Sequence, residues 1–204
     1  MLRAYIVSAL IGYLFGCSNM ALYLSKWKGI DLRSGGSRNL GASNAVMLLG
    51  WRAGVLVGGH DIGKAFLAIL LSRHLFPAQP LIGTVAGVSA VLGHMYPFYL
   101  KFRGGKGFAA YIGMMLALNW RAALVIIAAL VLLTIITDYI VVGTVTTVIT
   151  YPAFVAFYTR SAVAVCLLLI ATGAILYKHR GNYVRILNGT EPGLRSAGRG
   201  AYRQ

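Results

Sequence analysis

Apolar residues fill this chain in runs long enough to cross a bilayer, and that sets the class of fold open to it. A hydrocarbon core about 30 Å thick takes roughly twenty helical residues. The runs fall at about 4–25, 44–75, 80–100, 107–119, 121–137, 139–158 and 161–178. They predict an all-α integral membrane protein, a seven-transmembrane-helix bundle whose polar loops form a site on the cytoplasmic face. The second run is broken at Gly50-Trp51-Arg52, which predicts a short re-entrant piece ahead of the true span. A soluble domain is excluded: with 58% hydrophobic and 11% charged residues, and a mean hydropathy of +0.74, too few charges remain to solvate a surface.

A net charge of +15 would point to nucleic acid in a soluble chain. Here the cations crowd the ends of apolar runs, and no aromatics interleave with them as on an RNA-binding surface. One side of the membrane receives Lys26, Lys28, Arg33 and Arg38, then Lys101, Arg103 and Lys106, and finally Lys178, Arg180, Arg185, Arg195, Arg199 and Arg203. The other receives Arg3, Arg73, Arg121 and Arg160. The positive-inside rule makes the first side cytoplasmic, with the N-terminus outside and the C-terminus inside. The expected partners of these cations are membrane lipids, not nucleic acid. Cys17 and Cys166 both lie in apolar runs and read as free thiols. Residues 1–191 read as one transmembrane domain, and 192–204 as a short basic C-terminal tail, rich in Gly and Arg and poorly ordered.

The topology groups three polar segments on one side. The first, Ser34-Gly-Gly-Ser-Arg-Asn-Leu-Gly-Ala-Ser-Asn44, offers hydroxyls, amides and tight turns ahead of a helix. It reads either as an anion-binding loop or as a capped helix start. The second runs from Gly93-His94 through Pro97 to Gly104-Gly-Lys-Gly107. Glycines let the backbone approach a ligand, and Lys106 adds a mobile charge suited to phosphate. The third, Lys178 to Glu191, carries His179, Asn182 and Arg185, and can be a basic anchor or a phosphate-facing cluster. Glu191, the one glutamate in the chain, can be a salt bridge or a catalytic group. Within a span, Asp61 and Lys64 stand three apart, on one helical face. They form either a site wall or a buried ion pair.

Other chemistries lack their residues. There is no Gly-x-Ser-x-Gly elbow, no pair of carboxylates at hydrolase spacing and no His-rich metal site. The signature of soluble-face acyltransferases, histidine with aspartate five positions on, fails for all four histidines: His60, His74, His94 and His179 are followed there by Ala65, Gln79, Tyr99 and Val184. Any reaction must rest on anion binding and positioning.

In combination and order, these segments resemble the bacterial membrane acyl-phosphate:glycerol-3-phosphate acyltransferases, the PlsY family. The resemblance rests on Gly36-Ser37-Arg38-Asn39-Leu40-Gly41-Ala42-Ser43-Asn44, Asp61 with Lys64, Gly93-His94 with Pro97, and Gly104-Gly105-Lys106-Gly107. His179, Asn182, Arg185 and Gly189-Thr190-Glu191 complete it. It implies seven transmembrane helices in the bacterial cytoplasmic (inner) membrane, and acyl transfer from acyl phosphate to glycerol 3-phosphate, giving 1-acyl-glycerol 3-phosphate and phosphate. No cofactor and no metal are implied. By that similarity Ser37 and Lys106 are catalytic, with His94 either polarising the acyl carbonyl or bracing the loop. Substrate is then held by Arg38, Asn39, Gly41, Asn44, Asp61, Lys64, Gly104, Gly105, Gly107, His179, Asn182, Arg185 and Glu191. Two departures stand out. The family usually has arginine where this chain has Met47, and glycine where it has Arg38. They leave open a related acyltransferase with another acceptor. The mid-span charges leave open a transporter for a phosphate-bearing anion. The sequence sets no oligomeric state, and a monomer is compatible with it.

Overall fold

Helix α1 (Leu2–Cys17) and helix α5 (Ile82–Met95) lie side by side so closely that a Cβ at Gly12 or Gly16 would collide with the carbonyls of Ala86 and Ala90. The partners rise together in number, so the two helices run parallel. Both therefore deliver the chain to the same end. The computed structural model of the chain describes residues 1–197 and is all α-helix and loop there. It falls into two units, residues 1–118 and a second beginning at Asn119.

In the first unit, α1 breaks at Ser18-Asn19, where Asn19 caps α2 (Met20–Lys28) by accepting the Leu22 N–H. Gly29, at φ 66, ends it. A polar loop leads to α3 (Ala42–Leu49), Gly50 turns the chain at φ 88, and α4 (Trp51–Leu75) runs back. The predicted break in the second run is thus a real one. After α5 comes a short 3-10 turn (Phe98–Leu100), then the glycine loop and α6 (Phe108–Leu118). Beneath the loops, Leu24, Leu32, Leu40, Ala45 and Val57 form a buried cluster. Leu100 packs on it, so loops 33–44 and 101–107 share one apolar floor.

The second unit contains α7 (Trp120–Thr137), α8 (Ile140–Thr159), α9 (Ala162–Lys178) and α10 (Arg180–Leu187). Caps at Asn119 and Ser161 start α7 and α9. Asp138, at φ 69, ends α7. The same Asp138 receives the chain beyond Glu191: its carbonyl accepts from Leu194 N–H at 2.8 Å and its carboxylate from Arg195 N–H at 2.9 Å. The start of the tail is therefore tied down rather than loose. Its remainder from residue 198, with Arg199 and Arg203, lies outside the described residues. Apolar side chains such as Val125 (71% exposed) and Ile136 (65%) face outward, as a hydrocarbon solvent allows.

This is a multi-pass membrane protein, but the seven-helix bundle is not what forms. Among the described residues four segments are long and apolar enough to cross: Leu2–Lys28 (α1 with α2), Trp51–Leu75, Trp120–Thr137 and Ile140–Thr159. Ala162–Lys178 with Arg180–Leu187, bent by 46°, makes a fifth when counted as one. The overcount has a simple cause. The run 80–100 yields 14 helical residues because the helix stops before Pro97, about 21 Å of rise. The run 107–119 yields 11, about 16 Å, so both fall short of about 30 Å.

Candidate active site

The glycine loop is built by stapling it to the end of α5. Gly104 N–H donates to the Met95 carbonyl at 3.0 Å and Gly105 N–H to the His94 carbonyl at 3.1 Å. A Cβ at Gly105 would strike His94 Nε2, and one at Gly104 the His94 carbonyl. Gly107, at φ 88, lies against Met95 and Val91, and its carbonyl accepts the Tyr111 N–H to open α6. Two of the loop amides are thus occupied by protein. The first-turn amides of α6, which have no partner within their own helix, follow directly after half-buried Lys106. A cation beside a helix N-terminus favours an anion there.

Behind the loop stands a buried polar cluster. Lys64 Nζ reaches Asp61 Oδ1 at 2.8 Å, the Ser18 carbonyl at 2.7 Å and His94 Nδ1 at 2.8 Å. Of the three donors of its ammonium, two are hydrogen-bonded, to the Ser18 carbonyl and His94 Nδ1, and the Asp61 contact is an ion pair. His94 Nδ1 also stands 3.3 Å from Asp61 Oδ1, and its Nε2 edge is turned to Gly105. Asp61, Lys64 and His94 are each 5% exposed or less. The mid-span charges thus answer each other, which removes the motive for a transporter. The loop's base is further tied to α1 by Tyr99, whose hydroxyl donates to the Cys17 carbonyl at 2.5 Å. Burial pushes that hydroxyl up to about 12, so it stays protonated and keeps donating.

The first polar loop is organised by Asn44. Its Oδ1 accepts the Ser37 N–H at 2.7 Å and its Nδ2 donates to the Leu32 carbonyl at 2.5 Å. Asn44 is buried, whereas Ser37 and Arg38 are exposed and Asn39 and Gly41 half-buried. Arg38 sits at φ 54, in the left-handed region where glycine is at ease.

In the second unit, His179 is buried and its Nδ1–H donates to the Ile175 carbonyl at 2.8 Å. Glu191 takes Asn182 Nδ2 at 2.6 Å and Arg185 Nε at 2.7 Å, so of the two roles open to it the salt bridge is realised. Sequence reasoning missed Ser18, Tyr23 and His60, whose side chains lie together beside Asp61. The one available signal was His60 itself, directly before Asp61 in a span.

Comparisons with known proteins show the family. The family model for glycerol-3-phosphate acyltransferase matches residues 6–189. The chain is 36% identical over 200 residues to glycerol-3-phosphate acyltransferase 1 of Oceanobacillus iheyensis, covering 94% of this chain and 96% of that one. It is 38% identical to the Bartonella henselae glycerol-3-phosphate acyltransferase, over 89% of this chain and 88% of that one. Among solved structures it resembles PlsY, an integral membrane glycerol 3-phosphate acyltransferase. In the glycerol 3-phosphate form the TM-score is 0.87 at 30% identity, over 93% of this chain and 95% of that one. The lysophosphatidic acid form gives 0.82 at 29%, over 94% and 96%. The fold and the loops define a membrane acyltransferase. The chain belongs to the PlsY family of glycerol-3-phosphate acyltransferases.

Proposed function

We propose that this enzyme works by holding two phosphates at its polar loops while the acyl chain stays among the helices. It transfers the acyl group of acyl phosphate to glycerol 3-phosphate, giving 1-acyl-glycerol 3-phosphate and phosphate. Acyl phosphate is already activated, so the protein must oppose charge repulsion and bring the glycerol hydroxyl to about 3–3.5 Å from the carbonyl carbon. Lys106 and the first-turn amides of α6 bind phosphate; Ser37, His179 and Asn182 orient the substrates. Asp61, Lys64 and His94 brace the glycine loop from behind, and Asn44 braces the first loop. The observation that carries this reading is Lys106 standing at the N-terminus of α6 in a loop anchored to α5. Residues 1–191 act as one domain in the bacterial inner membrane, with the N-terminus outside and the C-terminus in the cytoplasm. One chain carries every residue invoked, so a monomer suffices, its exposed apolar faces in contact with lipid. The test is incubation of purified protein with acyl phosphate and glycerol 3-phosphate. Lysophosphatidate and free phosphate are expected in equal amounts, and phosphate without lysophosphatidate would refute the reading.

Arg38 supplies the charge lost at Met47. Its left-handed backbone is strained for any residue but glycine, by about 1–2 kcal/mol, and its exposed guanidinium borders Ser37. Arg38→Gly is expected to raise the Michaelis constant for glycerol 3-phosphate about tenfold, the loss of one exposed charge-assisted contact, while unfolding at a higher temperature. A more stable variant with unaltered Michaelis constants would leave Arg38 outside the site.

A further inference from the structure

Ser18 lies at the break between α1 and α2, and its Oγ is 2.9 Å from His60 Nε2. The other ring nitrogen, Nδ1, is buried and faces Asp61 Oδ1 at 3.6 Å. Tyr23 OH stands 3.2 Å from the same Oγ, and its ring meets His60 edge-on. A hydroxyl and an imidazole within hydrogen-bond reach are the core of an activated nucleophile, and the Asp61 carboxylate stands behind the ring at charge-pair distance without a hydrogen bond to it. Tyr23 adds a second hydroxyl beside the Ser18 Oγ. Ser18 and His60 are partly exposed while Asp61 is buried, so the hydroxyl is reachable and the carboxylate is not. The dyad is also close to the phosphate loop. Lys64 Nζ touches both the Ser18 carbonyl and His94 Nδ1, and the His94 ring rests on Gly105.

We propose that Ser18 is a second acyl acceptor, which makes the enzyme a slow acyl-phosphate hydrolase when glycerol 3-phosphate is absent. The inference rests on acyl phosphate being the donor. Ser18 Oγ attacks the carbonyl carbon and its proton passes to His60 Nε2. The carbon–oxygen bond to phosphate breaks, and phosphate leaves with the electron pair and takes the proton from the imidazolium. Water, deprotonated by His60, then attacks the Ser18 ester, the fatty acid departs and the proton returns to Oγ. Acyl phosphate and water become fatty acid and phosphate, with no further reactant. The site takes the acyl phosphates already used in the main reaction, and it limits their accumulation when the acceptor is scarce.

The test uses the full chain in detergent with palmitoyl phosphate and no glycerol 3-phosphate. Wild-type protein is expected to release phosphate and to carry a palmitoyl adduct that peptide mass spectrometry locates on Ser18. Ser18→Ala should lose the adduct, and it and His60→Gln should each lose about a hundredfold of this acceptor-free release. Lysophosphatidate formation with acceptor present should stay within about twofold of wild type in Ser18→Ala, which also reports that the variant is folded. Acceptor-free release undiminished in Ser18→Ala, or wild-type protein that makes lysophosphatidate but never carries the adduct, overturns the proposal. Loss of both activities together in Ser18→Ala overturns it too, by moving Ser18 into the main path. An adduct on Ser18 in protein that makes no lysophosphatidate would instead support it and refute the acceptor assigned above.

Discussion

Lys106→Ala protein should still insert and purify in folded form, yet form lysophosphatidate about 10²–10³-fold more slowly. The loop backbone is fixed without the Lys106 side chain, through Gly104 and Gly105 on the α5 carbonyls and Gly107 on Tyr111. Removing the ammonium therefore leaves the loop's backbone anchors in place and, on the proposed function, deletes charge beside the bound phosphate. The phosphate leaving group gains negative charge as the acyl bond breaks, so the loss falls on turnover as well as on binding. Lys106→Arg retains the charge but replaces a mobile point donor with a rigid planar fork, and it should recover only part of the rate. Initial rates of phosphate release over a range of both substrates check this. Wild-type turnover in Lys106→Ala would take the lysine out of the site.

The parts of this site that were legible in sequence are those carried by short-range chemistry. The glycines around Lys106, the break at Gly50 and the polar segment before α3 each leave a local signature in composition and spacing. Asn182 and Arg185, three apart, were expected on one face, and both do meet Glu191. The number of crossings was not legible in the same way. Hydropathy counts apolar residues whether or not they are helical, and it cannot see that no α-helix runs from Tyr96 to Gly107 or that Asn119 starts a new helix. Long-range contacts escaped as well. One of Lys64's partners is a backbone carbonyl 46 positions away, and Ser18 and His60 are 42 apart. Only the pairing of α1 with α4 brings them together.

Lys64→Met is the corresponding test of what lies behind the loop. It should destabilise the protein by about 3–5 kcal/mol, because it strands the Asp61 carboxylate in a site that is almost fully buried. The Ser18 carbonyl and His94 Nδ1 lose their donor in the same step. Asp61→Asn combined with Lys64→Met removes both charges and should regain more than half of that loss, since a neutral amide costs far less to bury than an unpaired carboxylate. Thermal unfolding of the three proteins in one detergent gives the comparison, and kinetics separates the two roles the sequence left open. A brace acting through His94 on Gly105 predicts a lower kcat in the double variant, with the Michaelis constant for glycerol 3-phosphate within about twofold of wild type. A site wall predicts a large rise in that constant with little change in stability. Lys64 is held by the Ser18 carbonyl, His94 Nδ1 and the Asp61 carboxylate, so the brace is the expected outcome. A Lys64→Met protein as stable as wild type would mean that Asp61 is not held as a buried anion at all.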